Sequence, residues 1–90
     1  MQITIESHPA QSYLDTLAVK NWPIWEKEIS EFPWFYEMEE VCFILQGEVI
    51  VTPEKGQPVR IKAGDLVTFP KGMHCRWHIT QDIRKHYLFR

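Results

Sequence analysis

The stretch Gly64–Trp77, GDLVTFPKGMHCRW, carries the pattern that decides the fold. It predicts a strand, a tight turn at Pro70–Gly72 and the start of a second strand. In the second strand apolar residues alternate with polar ones, which places the two kinds on opposite faces. The apolar face comprises Cys75, Trp77 and Ile79, and the polar face comprises His74, Arg76 and His78. We expect the apolar face to point into a core.

Strand patterns of this kind fill most of the chain. The segment Val41–Pro53 predicts one long strand, in which Gly47 marks a bulge, bend or turn, and Glu54–Gln57 predicts a hairpin turn. Only Ser12–Val19 has helical features, with Ser12 as its expected N-cap. Many short strands separated by turn residues are typical of an all-β sandwich or barrel.

Length and charge limit the function classes. The 90 residues suffice for one domain, with a strand and short helix over about residues 1–20 and a barrel over about 21–90. Twelve acidic against ten basic side chains argue against a nucleic-acid partner and offer no basic face to anionic lipid. The longest apolar run, Val41–Leu45, is too short to span a bilayer. Because the first residues lack an export-signal pattern, we expect a cytoplasmic protein.

Cys42 and Cys75 are too few for a disulfide framework. We expect two reduced, buried thiols that pack as small apolar groups. A redox pair, or ligation of a metal ion, is the alternative.

Two spacings resemble the conserved motifs of the cupin superfamily. Gly64, Pro70 and Gly72 match the second cupin motif, and Glu40–Gly47 matches the end of the first. Over Trp22–Tyr87 the chain also resembles the cupin-domain family named after (S)-ureidoglycine aminohydrolase. The resemblance implies an all-β, cupin-type double-stranded β-helix, or jelly-roll barrel, with a short N-terminal helix or turn segment.

The resemblance also indicates where metal ligands would lie. Metal-binding cupins use two histidines and a glutamate from the first motif and one histidine from the second. In this chain those positions fall at Trp34, Tyr36, Glu40 and Cys75 or, in an alternative alignment, at Pro33, Phe35, Glu40 and Cys75. His74 comes one residue early and so lies on the other face of its strand. We therefore expect no metal cofactor; a divalent metal, if bound, would use Glu40 and Cys75 with Cys42 or His74, or would recruit His86.

Without a metal ion, Glu40 needs another partner, because a carboxylate inside a barrel loses its hydration. Arg76, Arg84 and Lys85 are candidate cations, and Tyr36 is a candidate neutral donor. Glu40 then either only holds the barrel mouth together, or acts as a catalytic acid/base or ligand anchor. The numerous aromatic rings either fill the core and a dimer face or line a small-molecule pocket.

These observations predict a metal-poor barrel that binds a small molecule in its mouth. The expected pocket-lining residues are Trp34, Tyr36, Glu40, Cys42, Cys75 and Trp77. One alternative is a metal-dependent enzyme acting on a ureido or related small nitrogen compound. Another is a structural or regulatory subunit with a filled barrel.

The short β segment Ile3–Ile5 bears on partners. In cupins such N-terminal strands often pair with another subunit, and an unpaired edge strand promotes association. We therefore expect a homodimer.

Overall fold

Two long strands, β4 (Glu40–Pro53) and β7 (His74–Phe89), organise the protein, whose computed structural model describes all residues 1–90. The remaining elements are β1 (Thr4–Ser7), α1 (Gln11–Thr16), a 3₁₀ turn (Val19–Asn21), β2 (Ile24–Lys27), β3 (Ser30–Phe35), β5 (Val59–Lys62) and β6 (Asp65–Phe69). All strand pairs are antiparallel. The all-β jelly-roll barrel expected from the sequence is confirmed.

Strands β4 and β7 pair along nearly their whole length, from Glu40 opposite Phe89 to Pro53 opposite Cys75. The other side of β4 pairs first with β6 and then with β5. The other side of β7 pairs first with β3 and then with β2. Each long strand therefore pairs with two short neighbours. The start of β4 lies beside the end of β7 at one mouth of the barrel.

Gly47 marks an irregularity in β4, as the sequence predicts. The register against β7 shifts at three points between Ile44 and Val49, and Gly47 has φ +95°. A Cβ atom at this position would lie 2.1 Å from the carbonyl oxygen of Asp82. Only glycine combines this backbone conformation with so close an approach of β7.

The core follows the alternation of the strands. Cys75, Trp77 and Ile79 are buried, whereas the intervening His74, Arg76 and His78 are exposed, so the predicted inner face of β7 is confirmed. On β4, Cys42 and Ile44 point into the same core.

Helix α1 covers the outer face of the sheet near β4. Leu14 and Val19 pack there against Val41 and Leu66 in a second apolar cluster. The prediction of Ser12 as N-cap is wrong, because the helix begins earlier. The carbonyl of Ala10 already accepts hydrogen bonds from the next turn, and no side chain caps this end. No helix of the protein has the length and apolar character needed to cross a membrane.

Strand β1 has a pairing partner within its own chain. It pairs with β6 of its own chain, with Ile5 opposite Val67, and Ser7 Oγ donates a 2.8 Å hydrogen bond to Asp65. One edge of β1 is therefore paired within the chain, and because β1 is the first strand in the sheet order, its other edge has no strand partner within the chain.

Candidate functional site

The mouth of the barrel contains a cavity of about 160 Å³. It is lined by nine residues from β2, β3, β4, β7 and the loop after β3: Trp25, Phe32, Trp34, Tyr36, Glu40, Trp77, Lys85, Tyr87 and Phe89. Four of the six expected pocket residues lie here. The sequence does not predict the other five lining residues, which are Trp25, Phe32, Lys85, Tyr87 and Phe89.

Glu40 and Lys85 form a buried ion pair at this cavity. Lys85 Nζ donates a hydrogen bond of 2.9 Å to Glu40 Oε2, and each side chain is only 5% exposed. The other candidate cations, Arg76 and Arg84, instead pair with acidic residues at the surface. The structure thus selects Lys85 as the partner of Glu40, and places Lys85 on the inner face of β7.

Aromatic rings surround the ammonium group of Lys85. Nζ lies 4.7 Å from the ring centroid of Trp77, 5.0 Å from that of Trp25 and 5.9 Å from that of Phe69. Contacts at these distances attract a cation to the negative face of the ring. One carboxylate and three rings therefore hold this ammonium group, and we call the four residues the Lys85 cage.

Several polar groups at the cavity have unused hydrogen-bonding capacity. Lys85 Nζ makes one hydrogen bond to protein and has three donors. Glu40 Oε1 accepts no hydrogen bond from the protein. Because no fully buried side-chain oxygen lacks a hydrogen-bond partner, this oxygen must be partly accessible to solvent. The hydroxyl of Tyr36 accepts from Trp77 Nε1 at 3.2 Å and donates to no protein group. Burial, followed by the charge of Glu40, raises the pKa of Tyr36, so this phenol is a neutral donor at pH 7.

Neither cysteine lines the cavity, contrary to expectation. Cys42 is fully buried in the core, where desolvation raises the pKa of its thiol to about 12. Cys75 borders an outer groove instead, and burial raises the pKa of its thiol to about 11. Both thiols are unpaired and are protonated at pH 7.

The outer groove is larger, at about 1010 Å³, and more open than the cavity. It runs between the end of β3, the end of β4 and the start of β7, and shares Trp34, Tyr36 and Phe89 with the cavity. Phe35 and Met38 on its rim are 42% and 47% exposed. The larger concavity is thus mainly a surface feature, while the buried ion pair borders the smaller one.

The residues present do not fit a metal ion. No group of three or more His, Cys, Asp or Glu side chains is arranged to hold one. His74 packs against the ring of Phe35 outside the barrel, and His86 Nδ1 lies 2.9 Å from the carbonyl oxygen of Trp22. Beside Glu40 stands the ammonium of Lys85, which has donors and no lone pair when charged.

The antiparallel jelly-roll barrel, together with the comparisons with known proteins, shows that the chain is a cupin. More narrowly, the family model of the EutQ-like cupin domain matches residues 14–87, and the chain belongs to that family. A DUF861 family protein from Thermotoga maritima has a similar structure, with a TM-score of 0.96 and 50% identity over 99% of this chain and 100% of that chain.

Similarity to longer proteins covers only part of them. The acetate kinase EutQ of Escherichia coli K12 is 34% identical over 64 residues, which are 71% of this chain but 26% of that protein. The EutQ protein of Clostridium difficile has a TM-score of 0.66 and 21% identity over 73% of this chain and 52% of that chain, which shows a shared fold. This chain therefore spans about a quarter of the length of its curated relative.

Proposed function

We propose that the barrel mouth binds a small, uncharged molecule in the cavity beside Glu40 and Lys85. The cavity of about 160 Å³ is the observation that carries this proposal. An apolar cavity of roughly 150 Å³ accepts benzene, so a ligand of about six to ten non-hydrogen atoms matches the size. Such a cavity also counts against a barrel filled only by its own side chains.

The polar groups narrow the chemistry of the ligand. Lys85 and Tyr36 offer unused donors that suit a carbonyl oxygen, and Glu40 Oε1 offers an acceptor that suits an N–H or O–H group. The opposite charges of Glu40 and Lys85 already balance, so a charged ligand would bring an uncompensated charge into the cavity. A neutral amide or ureido compound, with its carbonyl and N–H groups side by side, meets these requirements.

The enzyme alternative comes from the resemblance to (S)-ureidoglycine aminohydrolase, and it would require a metal site. Elemental mass spectrometry of untagged protein tests it. Near-stoichiometric metal in the wild type, lost in Glu40→Gln/Cys75→Ser, would support the enzyme; less than about a tenth of an equivalent would remove that support. The kinase activity named for the Escherichia coli relative is not carried over, because the matched residues cover only 26% of that protein.

Two neighbouring aromatic residues allow a sharp test of the binding site. Trp34 and Phe35 are 47% and 42% exposed on β3, but Trp34 lines the cavity and Phe35 lines only the groove. We would screen neutral amides, ureas and charged analogues by ligand-observed NMR, and measure the dissociation constants of hits by calorimetry. Trp34→Ala should weaken binding at least tenfold, because it removes a cavity wall, and Phe35→Ala should leave it unchanged.

Either of two results would contradict the proposal. Equal loss of affinity in Trp34→Ala and Phe35→Ala would move the site to the outer groove. If no compound binds at millimolar concentration, the proposal that the cavity binds a small neutral molecule is wrong.

A further inference from the structure

We infer that the ammonium group of Lys85 is the built-in cation of this barrel. It occupies the position beside Glu40 in which a metal ion would have to bind. The site then works without metal, with a cation supplied by the chain itself. This inference goes beyond the proposed binding function and does not depend on it.

The cage provides what an ammonium group needs. Glu40 accepts a hydrogen bond of 2.9 Å, and the rings of Trp77, Trp25 and Phe69 lie 4.7–5.9 Å from Nζ. Attraction between a cation and a ring strengthens as the cation is withdrawn from bulk water, and this side chain is only 5% exposed. Tyr36 stacks on Phe69 with a centroid separation of 4.8 Å, and this contact holds the ring in place.

The same cage suits a metal ion poorly. Ring faces have no lone pairs for a divalent ion, and Trp77 Nε1 is a donor. A metal ligated by Glu40 would sit about 2 Å from its oxygen, within a few ångströms of the Lys85 ammonium, where two cations repel. Lys85 would have to leave the cage before a metal could bind.

This ion pair also differs from every other in the protein. The remaining four pairs all use arginine, and each arginine side chain is 48–65% exposed. Only Lys85 and Glu40 are both buried, so their pairing is a built internal feature and not a solvated surface contact.

Vacating the cage tests the inference directly. In Lys85→Ala the carboxylate and rings lose their ammonium, and added methylammonium should fill the space. We expect the melting temperature of this variant to rise with methylammonium beyond the effect of equal sodium chloride. The rise should be about 5–10 °C at a tenfold excess over the dissociation constant. Glu40→Gln/Lys85→Ala, which lacks the carboxylate, should show no such rise.

Lys27 supplies a matched control. Its Nζ lies 5.4 Å from the ring centroid of Phe32 but has no carboxylate partner. Lys27→Ala should therefore not respond to methylammonium. An equal response in Lys27→Ala, or none in Lys85→Ala, would overturn the inference.

A measurement on the wild type covers the case in which Lys85→Ala fails to fold. In ¹⁵N-lysine-labelled protein at neutral pH, we expect one ammonium signal with slow solvent exchange and ring-current-shifted protons, absent in Glu40→Gln. Stoichiometric Zn²⁺ or Ni²⁺ should leave it unchanged. Absence of the protected signal, or its displacement by metal, would refute the inference. Both readouts are independent of whether any amide or ureido ligand binds.

Discussion

At the scale of single residues, the free energy of the Glu40–Lys85 pair depends on both partners being present. Removing either one leaves a charge in a site where the side chains are only 5% exposed. Such an uncompensated charge costs more than the net contribution of the intact pair. This asymmetry makes the pair a structural requirement as well as a feature of the cavity.

The first prediction is a double-mutant cycle on this pair. Glu40→Gln and Lys85→Met should each lower the free energy of unfolding by about 3–5 kcal/mol, because each leaves one buried charge alone. Glu40→Gln/Lys85→Met should lie closer to the wild type than the sum of the two losses. Urea unfolding measures all four proteins; additive losses would show that the two charges are not coupled.

The second prediction concerns the thiol of Cys42, which is 0% exposed. Desolvation raises its pKa from 9.0 to about 12 in the folded protein, so the folded state favours the protonated thiol. This contribution is complete below pH 9 and is lost as the pH rises toward 12. Between pH 9 and 10.5 it should remove about 1–2 kcal/mol from the free energy of unfolding.

Cys42→Ala lacks the titrating group and is the matched variant. Its stability should fall less steeply than that of the wild type over the same pH range in urea unfolding. Identical slopes would mean that the Cys42 thiolate is tolerated in the fold.

At the scale of elements, the glycine turns and bulges set how closely strands approach. Gly47 and Gly72 have similar φ values of +95° and +89°, but their surroundings differ. A Cβ at Gly47 would meet the backbone of β7 at 2.1 Å, whereas one at Gly72 would meet only the side-chain end of Met1 at 3.5 Å. The two sites thus separate dihedral strain from a backbone clash.

The third prediction uses this difference. Gly72→Ala should lower the free energy of unfolding by about 1–2 kcal/mol, from backbone strain alone. Gly47→Ala should lower it by about 3–5 kcal/mol, because β7 must also shift. If urea unfolding gives equal losses of free energy for the two variants, the backbone of β7 can shift at Asp82 without cost.

Alternation predicted the inner face of β7 at Cys75, Trp77 and Ile79, because those apolar residues recur with period two. It did not assign the end of the same strand. There Lys85 and Tyr87 point inward, and Lys85 is a charged residue in the core. Its burial is explained by its contacts with Glu40 and with aromatic rings, several of which lie on other strands. Long-range partners of this kind leave no local signal.

The prediction of Ser12 as N-cap is wrong for a related reason. The position of an N-cap depends on where the helical backbone begins and not on residue type alone. The cavity wall shows the same limit. Trp25 and Phe32 lie on β2 and β3, and only the pairing of both strands with β7 brings these rings to the mouth.

At the scale of the whole molecule, apolar surface gathers along the outer groove. Trp34, Phe35, Met38 and Phe89 are each 42–47% exposed there. Contiguous apolar surface on a small protein is typical of an interface. This surface supports the expectation of a homodimer by an argument separate from that of the N-terminal strand.

The fourth prediction is therefore a homodimer, with about twice the 10.8 kDa of one chain, in sedimentation velocity of the untagged protein at micromolar concentration. Phe35→Glu/Met38→Glu should shift it to monomer, because charges on both partners would face each other. Ile29→Glu, at a 61% exposed apolar residue outside the groove, is the control and should not. A wild type that sediments as a monomer would contradict the prediction.

The position of β7 in the chain has a consequence for biosynthesis. This 16-residue strand pairs with β2, β3 and β4, all of which precede it. While the ribosome is still translating β7, the core lacks Cys75, Trp77, Ile79 and Ile83, and β4 lacks its longest pairing partner. The nascent chain therefore cannot complete its native core until β7 emerges, and until then part of its apolar surface is exposed to chaperones and proteases.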